Sequence, residues 1–253
     1  MKIDFSKYSS VRIGGIFDVE VLDEMREFDG VIIGGANNLL ISPNPPKMGI
    51  LGSEFDYIKL ENGVLKIGAK TPSSKIYKFT KDNNIGGFEF VKKIPGTLGG
   101  MIKMNAGVKE YEISNLLLNI TTSKGIALAN ECGFSYRHSN IDGVIYEASF
   151  KIMREFDEAL SNKLNQKRSN QPKGASFGSC FANPAGDHAG RLLEAAGMKG
   201  YRIGGCGFSE IHANFLINYG SGSFNDAIEL INLAKNRVAE LFGIELRCEV
   251  VIL

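Results

Sequence analysis

Apolar positions in the first 150 residues come in short runs of strand length, separated by glycine, proline and asparagine. Val11–Gly15 (VRIGG) predicts a short strand entering a Gly-Gly turn, and Phe17–Leu22 predicts a second strand. Val31–Gly35 reads as a buried strand running into the turn Gly34–Asn38, and Pro43–Pro46 marks a surface loop. Tyr57, Ile58 and Leu60 precede Asn62-Gly63, and Val64, Leu65 and Ile67 follow it, which predicts a β-hairpin. Ser73 or Ser74 caps a helix carrying Ile76, Tyr77 and Phe79 that ends near Asn83-Asn84. Leu116–Thr122 and Gly125–Ala129 alternate like paired strands, and Val144–Met153 predicts another.

The period then changes. Residues 154 to 170 are highly charged, with Leu160 and Leu164 one turn apart, which predicts an amphipathic helix broken at Gln171-Pro172. Asp187 is placed to cap a helix through Arg191, Leu192, Leu193 and Ala195, ended by Gly197. Phe215–Ile217 predicts a strand. Ser223 caps a long helix with Ile228, Ile231, Ala234, Val238, Leu241 and Phe242 on one face, closed by Gly243. Ile244–Leu253 alternates strictly, with Glu245, Arg247 and Glu249 on the polar side. Strands followed by helices give an α+β class.

Composition narrows the function classes. The 253 residues suit one or two domains, and 43% hydrophobic with 23% charged residues suits a soluble globular protein. A formal net charge of +1 offers nucleic acid no basic surface. Cys132, Cys180, Cys206 and Cys248 are dispersed without a CxxC pair, so free thiols are expected rather than a disulfide framework or zinc site. His138, His188 and His212 lack metal-ligand spacing, so no metal is expected. The N-terminus lacks the apolar core of a signal peptide and no apolar run is long enough to span a bilayer, so a cytoplasmic location is expected.

The richest chemistry lies in Ile94–Gly107, IPGTLGGMIKMNAG. Such a stretch either forms an ordinary glycine-rich turn or presents backbone N–H groups as a nest for a pyrophosphate. Gly34-Gly35-Ala36-Asn37-Asn38 offers small residues and amides at a second turn, but is not a GxGxxG opening a helix, which excludes a Rossmann site. Ser135-Tyr136-Arg137-His138-Ser139 carries an arginine fork suited to a carboxylate or phosphate. Gly178–Pro184 (GSCFANP) offers the Ser179 hydroxyl and, beside it, the Cys180 thiol as a candidate nucleophile. Glu249 on the last strand and His212 complete the candidates.

In this order the motifs resemble bacterial UDP-N-acetylenolpyruvoylglucosamine reductases, flavoenzymes of peptidoglycan precursor synthesis. The resemblance is carried by VRIGG at 11–15, IGGANNLL at 33–40, GGFEFVKKIPGTLGGMIKMNAG at 86–107, SYRHSNI at 135–141, GSCFANP at 178–184, LLEAAGMKGYRIGG at 192–205, SEIHANFLIN at 209–218 and LRCEVVIL at 246–253. It implies a vanillyl-alcohol-oxidase-type FAD module over 1–155, in subdomains of about 1–50 and 51–155, a smaller substrate domain over 156–245, and a terminal strand over 246–253 that brings Glu249 to the active site.

The resemblance further implies non-covalent FAD held by Gly34, Gly35, Ala36, Asn37, Asn38 and Leu39, and by Ile94, Pro95, Gly96, Thr97, Gly99, Gly100, Asn105, Ala106 and Gly107. Arg137, Ser179 and Glu249 match the family's catalytic trio, and Tyr136, Asn183 and His212 are expected to contact a UDP-sugar substrate. NADPH would reduce the flavin. Hydride would pass to the enolpyruvyl β-carbon, Arg137 and Glu249 would stabilise the enolate-like intermediate, and Ser179 would protonate its α-carbon. A monomer without nucleic-acid or membrane partners is expected.

The chain departs from the family pattern at Ala36-Asn37, where Gly-Ser is usual, and at Ala182, where a basic residue is usual. Lys173 or Lys167 is a candidate for the missing charge. Without an insertion after Gly107 the chain resembles the compact subgroup that lacks a substrate-covering tyrosine loop, so Tyr111 is not given that part. Two other readings stay open: an FAD-linked oxidoreductase of another small molecule, and a flavin- or nucleotide-binding module without turnover.

Overall fold

The computed structural model describes residues 1–152, 154–166 and 171–253. Its described residues fall into two compact units. The first holds Met1, Val19–Gly35 and the chain from Lys47 through residue 166. The second holds Lys2–Asp18, Ala36–Pro46 and the chain from residue 171 to Leu253.

The alternating runs of the first unit form a five-stranded antiparallel sheet, in the order Gly125–Leu128, Leu117–Thr122, Ile145–Lys151, Val64–Gly68, Ile58–Glu61. Asn62 and Gly63 both take positive φ, 50° and 76°, the two-residue turn whose twist matches its strands. The expected strand at 144–153 thus forms over Ile145–Lys151, and Met153 lies outside the described residues. Leu65, Ile67, Ile120 and Phe150 share one core with Ile76 of the helix Ser73–Asp82 and Leu164 of the helix Glu158–Gln166. The end of the charged stretch, 167–170, also lies outside the described residues. A parallel group joins Val19–Leu22 and Val31–Ile32 to Met48–Leu51.

One buried ion pair anchors the approach to the glycine stretch. Glu89 is 1% exposed. Its carboxylate accepts two bonds from Arg154, at 2.8 and 3.0 Å, and the N–H groups of Gly87 and Asp157 at 2.8 and 2.9 Å. A buried carboxylate is tolerated when its lone pairs are filled in this way.

The second unit pairs Ala175–Ser179, Phe215–Asn218, Cys206–Phe208 and Arg202–Ile203 in one antiparallel sheet. Helices Ala189–Ala195 and Phe224–Phe242 share its core, through Leu192, Leu193, Leu230, Ala234 and Val238 against Phe181 and Phe208. Ser223 caps the long helix, accepting the Asp226 N–H at 3.1 Å, and Gly243 closes it at φ 65°. Val251–Ile252 pairs in parallel with Leu39–Leu40, and Lys2–Asp4 pairs antiparallel with Ile16–Asp18.

Several sequence expectations are corrected. Val11–Gly15 is not a strand. Val11 and Ile13 are buried, but Arg12 turns to φ 55° and interrupts an extended run. Ile94–Gly107 is not all loop, because Leu98–Lys103 winds into a short helix. Ser73 is the first residue of its helix rather than its cap. Asp187 does not cap either, because its carboxylate is taken by Arg191, which holds its pKa down to about 2. The buried face of the long helix is Ala227, Leu230, Ile231, Ala234 and Val238. Leu241 is 61% exposed, and the Phe242 ring instead carries the Arg191 guanidinium at 5.6 Å. The strand expected over 246–253 forms only at Val251–Ile252, with Glu249 and Val250 in a bend, for a reason that bears on the site.

Candidate active site

In the first unit the candidate residues gather around Asn105. Asn105 is buried at φ 41°, a left-handed backbone that asparagine tolerates better than most residues. Ser135 and His138 exchange both backbone hydrogen bonds, at 3.1 Å each, which closes a two-residue turn with Tyr136 and Arg137 at its tip. Arg137 takes φ 55°, where such turns usually place glycine or asparagine. A non-glycine residue held there costs about 1 kcal/mol, and such strain collects at functional sites.

The surroundings hold that turn. Arg137 donates to the Gly107 carbonyl at 2.9 Å and the Asn105 carbonyl at 3.4 Å, and its guanidinium lies 4.9 Å from the Tyr136 ring centroid. Asn105 Nδ2 donates to the Ser135 carbonyl at 3.2 Å. Ser139 Oγ donates to the Lys103 carbonyl at 2.9 Å, and Lys103 Nζ donates to the Ile141 carbonyl at 2.6 Å. The structure therefore brings Arg137 and the NAG end of the glycine stretch together.

The front of that stretch is only partly a nest. The Leu98 and Gly99 N–H groups are satisfied by the Thr71 and Ala69 carbonyls at 2.9 and 2.8 Å. A cradle for a ligand, if built here, falls to Gly96, Thr97 and Gly100. Gly34 approaches the same place, since a Cβ on it would stand 3.0 Å from Thr97 Oγ1. Ile94 is buried and Pro95 is exposed.

In the second unit a β-bulge and a bend set the geometry. The pairing of Ala175–Ser179 with Phe215–Asn218 slips between Ser176 and Ser179, with Gly178 at φ 87°. Ser179 thus leaves the core-facing alternation and is half-exposed. Across from it, the N–H groups of Glu249 and Val250 both point at the Cys180 carbonyl, at 2.9 and 3.4 Å. Two residues share one carbonyl because the chain bends at Glu249 and Val250, between the isolated bridge Phe181–Cys248 and the strand Val251–Ile252. Ser179 ends its strand beside a bulge, and the bend at Glu249 is tied to the next residue, Cys180.

The loop Ala36–Leu39 is tied to that same strand. Asn38 Nδ2 donates to the Glu249 carbonyl at 2.8 Å, and the Val251 N–H donates to the Asn38 carbonyl at 3.0 Å. Ala36 is buried at φ 47°, and Ser10 braces the loop through its N–H to the Ala36 carbonyl and its hydroxyl to the Asn37 carbonyl. Asn183 Oδ1 accepts the Ala189 N–H at 3.0 Å, which fixes the side chain at the start of the helix Ala189–Ala195. His212 Nδ1 accepts the Asn214 N–H at 3.2 Å, and burial lowers its pKa, so the ring is neutral at pH 7.

Cys180 is no nucleophile. It is fully buried, and burial pushes its thiol well above the ordinary range. Ala182 is buried, with its N–H on the Arg247 carbonyl at 2.9 Å, so its position has no room for a long cation. Lys173 is exposed, and Lys167 lies outside the described residues. Ser10, which braces the loop Ala36–Leu39, and Glu112, which bonds the Asn105 amide, stand out by no spacing or motif. Their partners are distant in sequence or depend on a hairpin register.

Comparison with known proteins places the chain in a family. A family model described as the C-terminal domain of UDP-N-acetylenolpyruvoylglucosamine reductase matches residues 170–253. The chain is 53% identical to the UDP-N-acetylenolpyruvoylglucosamine reductase of Campylobacter jejuni (strain RM1221), over 100% of both chains. It is 44% identical to that of Helicobacter pylori (strain ATCC 700392 / 26695), over 99% of this chain and 98% of the relative. The crystal structure of UDP-N-acetylenolpyruvylglucosamine reductase from Thermus caldophilus superimposes with a TM-score of 0.86 at 26% identity, over 100% of this chain and 98% of that one. The protein is thus an oxidoreductase of the α+β class. It belongs to the UDP-N-acetylenolpyruvoylglucosamine reductase family.

Proposed function

We propose that the protein binds FAD without a covalent link and uses NADPH to reduce the enolpyruvyl ether of UDP-N-acetylglucosamine enolpyruvate, giving UDP-N-acetylmuramate. The observation that carries this reading is the mounting of Arg137: a strained turn residue held against the glycine stretch by the Asn105 and Gly107 carbonyls. The residues present suit the cofactor. Gly34 stands so near Thr97 that a side chain would fill the gap, and Asn105 Oδ1 is a buried acceptor with no partner. Gly34 to Leu39, Ile94 to Thr97, Gly99, Gly100 and Asn105 to Gly107 would hold it. When bound, FAD supplies a hydride, drawn from NADPH, to the enolpyruvyl double bond.

The chain's own groups do the rest. Arg137 offers a planar fork to the substrate carboxylate, where negative charge grows as the double bond is reduced. Glu249 assists only as a hydrogen-bond donor, and so in its protonated form, because an ionised carboxylate only accepts. The Ser179 hydroxyl gives its proton to the α-carbon. A serine is a weak acid, so this step relies on the basicity of the carbanion and on close placement by the Gly178 bulge. Tyr136, Asn183 and the neutral His212 contact the UDP-sugar.

Within this reading the substrate portion is 156–245, the terminal segment 246–253 delivers Glu249, and the enzyme works as a cytoplasmic monomer. No helix among the described residues is long and apolar enough to cross a membrane. Turnover in deuterated water tests the proton step. One solvent deuterium at the α-carbon of the lactyl ether is expected, and product carrying solvent deuterium only at the β-carbon would overturn the assignment.

A further inference from the structure

The amide of Asn105 has one orientation open to it. Its Nδ2 faces two groups that can only accept, Glu112 Oε2 at 2.8 Å and the Ser135 carbonyl at 3.2 Å. The nitrogen must face them, and the oxygen is turned the other way. That oxygen is buried, in a residue 1% exposed, and has no partner. Buried acceptors without a donor are rare in native proteins, and one beside a proposed cofactor site points to a ligand.

Glu112 is itself held in place. It pairs with Gly107 across the hairpin Gly107–Val108 and Tyr111–Glu112. That hairpin is so tight that a Cβ on Gly107 would stand 2.3 Å from the Tyr111 carbonyl oxygen. The Ile113 N–H also donates to the Ala106 carbonyl at 2.9 Å. One carboxylate thus sets the amide that touches Ser135, and Ser135 opens the turn that carries Arg137.

We propose that Glu112 is a positioning residue: it turns the Asn105 amide so that Oδ1 accepts a hydrogen bond from a hydroxyl or ring N–H of the bound FAD, and through the same amide it steadies the Arg137 turn. This deepens the FAD-reductase reading and rests on it. The chemistry narrows the contact. An amide oxygen repels phosphate oxygens, so this end of the glycine stretch meets a donor part of the cofactor, its ribityl, ribose or ring edge, and the pyrophosphate lies elsewhere.

The test compares flavin-loaded wild type, Glu112→Leu and Glu112→Gln. FAD release on dilution is read by flavin fluorescence, and folding by far-UV circular dichroism. The Leu variant is expected to release FAD with a dissociation constant raised about tenfold, as for one lost hydrogen bond. Its KM for the enolpyruvyl substrate should rise more than its kcat falls. The Gln variant keeps an accepting oxygen and should hold FAD within about twofold of wild type. A Leu variant that holds FAD as wild type does, or a Gln variant as weak as Leu, overturns the inference. So does a Leu variant in which only substrate KM moves, since the donor would then belong to the substrate.

If the Leu variant does not fold, Asn105→Asp takes its place. It offers Glu112 no N–H and should weaken FAD about tenfold. Adding Glu112→Gln gives a donor back to the new carboxylate and should recover part of the loss, and no recovery overturns the inference. Wild type that binds no FAD would overturn the parent reading. Wild type that binds FAD beside an indifferent Leu variant overturns this inference alone.

Discussion

Arg137 sits at the tip of a four-residue turn with its backbone in the left-handed region, held by carbonyls of the NAG segment. Ser179 ends a strand beside a bulge, Glu249 lies in a bend bonded through its N–H to the Cys180 carbonyl, and both take their direction from backbone hydrogen bonds. The first arrangement depends on side-chain bonds to backbone, and the second on backbone register. A turn residue can be released by removing one brace. A strand residue moves only if the ladder moves. Substitutions should therefore separate the two regions: changes around Arg137 disturb binding and positioning together, whereas trimming Ser179 or Glu249 leaves the scaffold in place.

The largest effect is expected at Ser179. Ser179→Ala should lower kcat by about 10²-fold or more while FAD stays bound, measured by steady-state kinetics beside the flavin spectrum. Loss of flavin in this variant would make Ser179 structural and erase the contrast. Arg137→Ala and Glu249→Ala should each slow flavin reoxidation by substrate about 10²-fold in stopped-flow absorbance, with flavin reduction by NADPH unchanged. Arg137→Lys keeps the charge but loses the planar fork, so a deficit of about tenfold should remain.

Smaller effects test the scaffolds. Gly107→Ala forces a methyl against the Tyr111 carbonyl, which is backbone and cannot swing aside. About 1–3 kcal/mol of destabilisation is expected, a fall in Tm of roughly 2–10 °C by calorimetry. The smallest effect concerns His212, whose folded pKa lies below the ordinary 6.5 because of burial. The unfolded chain then binds a proton first as pH falls. This contribution to stability is present above pH 6.5 and is lost as pH drops through the folded value. His212→Gln should flatten the fall of Tm between pH 7 and 5, and an unchanged slope would show that other groups set it.

Much of this was legible in the chain. The Asn62-Gly63 hairpin, the paired strands around Ser123-Lys124 and the Ser223 to Gly243 helix follow from local chemistry, and they form as read. The errors have a common cause. Val11–Gly15 and Ile244–Leu253 carry strand patterns, but Arg12 turns left-handed in one and a bend at Glu249 and Val250 interrupts the other. Both departures are tertiary. For the site, the residue types near Arg137 and Ser179 were visible, but their braces were not. Glu112 reaches Asn105 only through the Gly107–Glu112 hairpin register, and Ser10 is 27 residues from Asn37, so neither contact follows from a local period. Nothing in the sequence of Cys180 says that its thiol is fully buried and inert, since burial is decided by the pairing with the terminal strand.

The central claim is that one protein carries the flavin, accepts reduction from NADPH and passes it to the enolpyruvyl ether. The direct measurement is an anaerobic absorbance spectrum of the purified protein, taken before and after NADPH and again after UDP-N-acetylglucosamine enolpyruvate. The account predicts flavin bands that bleach with NADPH and return with the substrate. Bands that bleach and stay bleached, or folded protein with no flavin and no affinity for added FAD, would contradict it.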